Sequence, residues 1–166
     1  MVELATALRH ADALAALLAP ACERIEIAGS VRRRRPQPHD IELVIIPGSG
    51  AEFYTLALEL QMRGQLLIDA GHQRDGHRYK RRIFEGLPID LFLVLPPAQW
   101  GLLLFIRTGP ADFGHRALAR WKRISGGGFS EDGCLHNANG TTVPTPEEAD
   151  VFDALRMAWV APEDRA

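Results

Sequence analysis

The chain has 166 residues, 46% hydrophobic and 24% charged, the balance of a folded globular protein and not of a disordered tail or a fibre. Such a length buries about 70% of the unfolded surface, enough for one domain or two small subdomains without disulfides. A formal net charge of −2 excludes a uniformly basic nucleic-acid binder.

Cys22 and Cys134 stand in no metal-ligand spacing, so reduced thiols and a cytoplasmic location are expected, although two cysteines could in principle pair. Glu3, Arg9, His10 and Asp12 interrupt the first twenty residues and argue against a signal peptide, and no apolar run approaches the roughly 20 residues that span a bilayer. No membrane partner is expected. The net charge hides a segregation: residues 71–126 hold ten Lys and Arg against four acids, a balance of +6 that leaves −8 for the rest. A second basic cluster, Arg32 to Arg35, lies inside the acidic remainder. Either run alone is read as a solvated face, but two of them beside a set of carboxylates point towards an anionic partner.

In chain order, Val2 to Leu18 has helical apolar spacing and is closed by Pro20. Arg24 to Ala28 alternates as a half-buried strand and runs into Gly29-Ser30. Val31 to His39, with four arginines and two prolines, reads as irregular. Asp40 to Ile46 is a second strand, not necessarily beside the first. Ala51 to Arg63 is a helix ended by Gly64. Leu66 to Ile68, Arg78 to Phe84 and Leu87 to Leu95 are strands, the last two an antiparallel hairpin turned at Glu85-Gly86. Pro96-Pro97 marks a boundary, giving subdomains 1–96 and 97–166. Helices follow over Ala98 to Ile106 and Ala111 to Ile124, then a glycine-rich connection at Gly126 to Gly128 and small strands within Phe129 to Val143. A closing helix spans Glu147 to Met157, with Thr145 as N-cap and Pro146 at the first helical position. The pattern is α+β: a mixed sheet with helices, then a small, mostly helical unit.

Gly29-Ser30 is followed ten residues later by Asp40-Ile41-Glu42. Alternate residues of a strand share a face, so Asp40 and Glu42 point one way while Ile41, Leu43 and Ile45 point into the core. Asp90 interrupts the apolar strand Ile89, Leu91, Leu93 in the same manner. Three carboxylates on neighbouring strands repel unless a cation sits among them, and their oxygens suit a hard ion such as Mg²⁺. Two such ions, or Mn²⁺ in their place, would serve phosphoryl transfer. Gly29 would permit close backbone approach to a triphosphate, Ser30 would offer a hydroxyl, and the arginines would neutralise charge with planar donor forks.

The run G-S-V-R-R-R-R-P-Q-P-H-D-I-E-L-V-I, Gly29 to Ile45, resembles the nucleotidyltransferase signature of the DNA polymerase X family, and its His-Asp pair resembles the terminal-transferase branch. P-I-D-L-F-L-V-L-P-P-A-Q-W-G, from Pro88, is similar to the strand that brings the third carboxylate. Thr108-Gly109 falls where members carry a Thr-Gly at the nucleotide pocket, and Val143 to Arg165 is similar to the family's closing segment. The matches run from about Glu23 to Arg165.

The resemblance implies a polymerase beta-like nucleotidyltransferase palm over 1–96 and a thumb over 97–166. Asp40, Glu42 and Asp90 would be catalytic metal ligands, Asp90 helping to deprotonate a primer 3′-hydroxyl. Gly29, Ser30, Arg33, His39, Ile106, Arg107, Thr108 and Gly109 would bind the nucleotide. Arg78, Lys80, Arg82, Arg116, Arg120 and Lys122 would hold DNA, with residues 112–123 on a helix facing the nascent pair or the template. The implied partners are primed or gapped DNA and nucleoside triphosphates.

The chain departs from the family at Glu42, usually Asp; at Ile106-Arg107, usually an aromatic pair or Gly-Trp, which leaves sugar preference open; and at Pro88, often a basic residue supporting the third carboxylate. No counterpart of the N-terminal lyase and DNA-binding domains of larger members is recognised. His72 and His77, flanking Arg74 and Asp75, read as a polar loop and not a metal site. Trp100, Trp121 and Trp159 read as core or interface, with Trp121 also a candidate to stack on a base. The expected function is nucleotide addition to a primer 3′-hydroxyl with release of pyrophosphate, in gap-filling repair. The alternatives are a template-independent or ribonucleotide-adding transferase and a catalytically inactive nucleic-acid-binding module.

Overall fold

The computed structural model describes residues 1–71 and 76–166, which form two compact units, Met1–Leu93 and Val94–Ala166. The architecture is α+β. His72, Arg74 and Asp75 of the expected polar loop lie outside the described residues, and His77 is exposed.

In the first unit, helix α1 (Leu4–Leu18) buries Ala7, Ala11, Leu14 and Leu18, one face at helical spacing. Strand β1 (Cys22–Ile27) leads into a single helical turn, α2 (Gly29–Arg32), and then to β2 (Ile41–Pro47). The stretch read as irregular therefore opens with helix. Gly29, at φ +60, makes the strand-to-helix corner. The amides of Val2 and Leu4 donate to the carbonyls of Pro38 and Pro36, which ties the chain ahead of α1 to the arginine loop. Helix α3 (Gly50–Met62) is capped by Ser49, whose Oγ accepts the Glu52 amide at 3.1 Å.

Strands β3 (Leu67–Ile68), β4 (Tyr79–Phe84) and β5 (Leu87–Leu93) complete a mixed sheet of order β1-β2-β5-β4-β3. β1 and β2 are antiparallel neighbours, while β2 and β5 run parallel. Glu85 and Gly86 turn the β4–β5 hairpin with φ +50 and +77, the two positive values that a tight primed turn requires. Ile41, Leu43, Ile45, Ile89 and Leu91 are fully buried on one face of β2 and β5.

The second unit joins helices α4 (Trp100–Thr108), α5 (Ala111–Ile124) and α6 (Glu148–Ala154) to a three-stranded antiparallel sheet of β6 (Phe129–Glu131), β7 (Cys134–His136) and β8 (Thr142–Val143). Its core contains Phe105, Phe113, Phe152 and Trp121. Arg165 is wholly buried against it, with its guanidinium carbon 5.1–5.6 Å from the Phe105, Phe113, Phe152 and Trp159 rings. Nη1 of Arg165 donates to Glu148 Oε1 at 2.7 Å and Nε to the Val160 carbonyl at 3.2 Å.

The closing helix starts one residue later than its sequence suggests. Glu147 is the N-cap, its amide donating to Asp150 Oδ2 at 2.7 Å, and Pro146 precedes the cap. Thr145 is not the cap because both its amide and its hydroxyl donate to Gln99 Oε1. The helix also ends earlier than expected, with Leu155 as C-cap and Arg156 at φ +50. Cys22 and Cys134 are both free thiols. Among the described residues no helix is long and apolar enough to cross a membrane.

A β-carbon at Gly101 would stand 2.1 Å from the Glu147 carbonyl oxygen and 2.6 Å from that of Thr145. Both are backbone atoms and cannot swing aside. Gly101→Ala should therefore destabilise the protein by about 1–3 kcal/mol, read as a lowered urea midpoint with an unchanged slope.

Candidate functional site

Strand register assembles a row of charge on one face of the first unit's sheet. The parallel β2–β5 pairing sets Glu42 opposite Asp90, and the β4–β5 hairpin sets Arg81 opposite Asp90 from the other side. Ile68 pairs with Arg82, so Asp69, the next residue, comes level with Arg81. The row reads Asp69, Arg81, Asp90, Glu42.

Arg81 Nη1 donates to both oxygens of Asp90, at 2.8 and 3.0 Å, and Nε donates to Asp69 Oδ2 at 3.2 Å. The same Nη1 lies 3.9 Å from Asp40 Oδ2. Tyr79 donates its hydroxyl to Asp90 Oδ1 at 2.8 Å while its ring packs on Phe92. Burial works against the Arg81 charge, but the hydrogen bond with Tyr79, the charge of Asp90 and the bonds to Asp69 and Asp90 outweigh it, and the net effect raises its pKa. The Tyr79 phenol is also pushed up, first by burial and then by its bond to Asp90.

Burial raises the pKa of Asp40, and the neighbouring Asp90 charge raises it further against the opposing pull of Arg81 and His39. Glu42 reaches the other way. Its Oε2 would lie 1.6 Å from a β-carbon on Gly29, so the carboxylate fills space that only glycine leaves open. Ser30 Oγ is buried beside this turn with no hydrogen-bond partner among the described residues. Arg33 is half-buried at the C-cap of α2, and His39 is exposed next to Asp40.

Asp40 and Asp90 both approach one point, Arg81 Nη1, and their oxygens have the chemistry to hold a hard divalent ion there. Among the described residues no group of three or more His, Cys, Asp or Glu converges as a ligand set. The Arg81 guanidinium occupies the point between Asp40 and Asp90, and Glu42 is turned to Gly29.

Several residues expected to hold DNA are used elsewhere. Lys80 and Arg82 alternate with Arg81 and are nearly buried on the opposite face: Lys80 Nζ lies 4.8 Å from the Tyr54 ring centre, and Arg82 Nη1 donates to the Arg81 carbonyl at 2.8 Å. Arg116 Nη2 donates to the Ala166 carbonyl, and Arg120 donates to the carbonyls of Leu155 and Arg156 at 2.6 and 2.9 Å. Those two arginines hold the end of the second unit's fold. Arg78 and Lys122 are exposed. Trp121 is no stacking platform, since it is buried and its Nε1 donates to the His136 carbonyl at 2.9 Å. Of the proposed pocket residues on α4, Ile106 packs against the aromatic core, Arg107 is exposed, Thr108 is fully buried, and Gly109 follows at φ +59.

Arg81, Asp69 and Tyr79 escape the motif reading. The signal for Arg81 lies in the turn: with Glu85-Gly86 as a two-residue hairpin, counting back from Phe84 opposite Leu87 sets Arg81 opposite Asp90.

A family model, DNA polymerase beta thumb, matches residues 103–166, from within α4 to the end of the second unit. No curated protein matches the chain. The matched region is similar to a polymerase X-type thumb, which connects the protein with DNA polymerases or with DNA binding.

The folded chain holds the Asp40 proton more tightly than the unfolded chain does. This group therefore favours folding below its unfolded pKa, and the contribution is lost as pH rises through the raised value. Asp40→Asn should raise the thermal midpoint at pH 7, with a gain that shrinks on acidification towards the ordinary carboxylate range. Gly29→Ala adds strain at φ +60 and displaces Glu42. A loss of about 1–2 kcal/mol in denaturant unfolding is expected.

Proposed function

We propose that the protein is a metal-dependent nucleotidyltransferase of the DNA polymerase X type, adding nucleotides to a primer 3′-hydroxyl in gap-filling repair. The observation that carries this reading is the register that gathers Asp40 and Asp90 at one cationic point and sets Glu42 opposite Asp90, beside the Gly29-Ser30 turn. The thumb match in the same chain supports it.

In the reaction the 3′-oxygen bonds to the α-phosphorus, the bond from that phosphorus to the bridging oxygen breaks, and pyrophosphate leaves. Asp40 and Asp90 would hold the divalent ions, Mg²⁺ or Mn²⁺, with Glu42 as the third carboxylate once turned from Gly29. Bound ions supply Lewis acidity at the phosphate and lower the pKa of the attacking hydroxyl. Asp90 would accept the hydroxyl proton. The buried Ser30 hydroxyl and the first α2 amides offer donors to the departing phosphates. Arg33 adds positive charge there.

A second reading, a nucleic-acid-binding module without turnover, draws on the guanidinium already paired with Asp90. Labelled primer incubated with and without template, with dNTPs or rNTPs, in Mg²⁺ or Mn²⁺, separates the two. Template-directed extension is expected, and absence of extension under every condition overturns the enzyme. Asp90→Ala should slow extension by about 10³-fold while primer retention on a filter persists.

A further inference from the structure

We infer that Asp69 is a positioning residue for the divalent ion proposed at Asp40 and Asp90, acting on it by sharing Arg81 with Asp90. The inference rests on the metal-site reading above and adds a residue outside the carboxylate set.

Among the described residues Arg81 faces three carboxylates: Asp90 at 2.8 Å, Asp69 at 3.2 Å and Asp40 at 3.9 Å. The side chains of Arg81, Asp69 and Asp90 are only 16%, 17% and 12% exposed, so water replaces a lost partner poorly. The guanidinium spreads its donors over a fixed fork, and here different edges serve different acids: Nη1 faces Asp90 and Nε faces Asp69.

A divalent ion that coordinates Asp90 takes the oxygens Nη1 now holds, and its charge repels the guanidinium. Arg81 gives up Asp90 readily only if another carboxylate keeps its charge paired. Asp69 is built for that. Its Oδ1 accepts the Gly71 amide at 3.1 Å, which fixes the carboxylate while Oδ2 receives Nε. Without the Asp69 charge, the acids left to Arg81 among the described residues are Asp90 and Asp40, the two the ion needs. The guanidinium then competes with the ion instead of yielding to it.

Mn²⁺ binding to the full chain, followed by electron paramagnetic resonance without primer or nucleotide, tests this in a double-mutant cycle. Asp69→Asn should weaken Mn²⁺ binding about tenfold, Arg81→Gln should tighten it, and Asp69→Asn placed on Arg81→Gln should change it less than about twofold. Asp69→Glu should restore affinity to within about threefold of the parent. Asp69→Ser repeats the carboxylate-free arm if the Asn variant melts early. An unchanged affinity in Asp69→Asn overturns the inference. So does an equal weakening with and without Arg81, because a bulk charge effect does not pass through the guanidinium. Weaker binding in Arg81→Gln overturns it as well. If neither the parent nor Arg81→Gln binds Mn²⁺, the metal-site reading itself falls and takes the inference with it.

Discussion

The register of β4, β5 and β2 is the constraint on which the candidate site depends. A strand shows alternate residues to alternate faces, so a slip of one residue would send Asp90 into the apolar layer and bring Ile89 or Leu91 out. The full burial of Ile41, Leu43, Ile89 and Leu91 forbids that slip. Apolar packing beneath the sheet thereby holds like charges together above it. Asp90 and Asp40 stand close enough to repel, and Arg81 from the neighbouring strand supplies the compensating charge.

The second unit shows a different use of charge. Arg165 is taken wholly out of water, a cost met by Glu148, the Val160 carbonyl and four aromatic rings. Arg116 and Arg120 bond to carbonyls of the same C-terminal stretch. Three arginines from α5 and the chain's last turn thus secure the fold of the region that matches a polymerase thumb. Within the basic stretch, Arg116 and Arg120 are therefore engaged by the fold, while Arg78, Arg107 and Lys122 stay exposed.

Pro88, two residues before Asp90 on the same strand, brings no charge to it. Arg81 reaches Asp90 from the adjacent strand instead, with both Nη1 bonds and a Tyr79 hydroxyl alongside. The positive charge beside Asp90 comes from pairing across strands, not from spacing along one strand.

Local chemistry alone determined much of this protein. Helical spacing placed α1, α3 and α5, Gly29 and Gly64 marked corners at positive φ, and Glu85-Gly86 named a hairpin that formed as read. The Gly29-Ser30 and Asp40-Ile41-Glu42 spacing pointed to one turn and one strand face. What the sequence left open was which face of β4 would be buried, because Lys80, Arg81 and Arg82 carry charge on both sides and erase the usual alternation. Only the packed sheet decided it: Phe84 shares the face of Lys80 and Arg82, the Tyr54 ring accepts the Lys80 ammonium, and Arg81 is left on the side of Asp90. The burial of Trp121 and Arg165 was decided in the same way, by partners 15 and 17 residues away in the chain, because burial is a property of what folds against a residue and not of the residue itself.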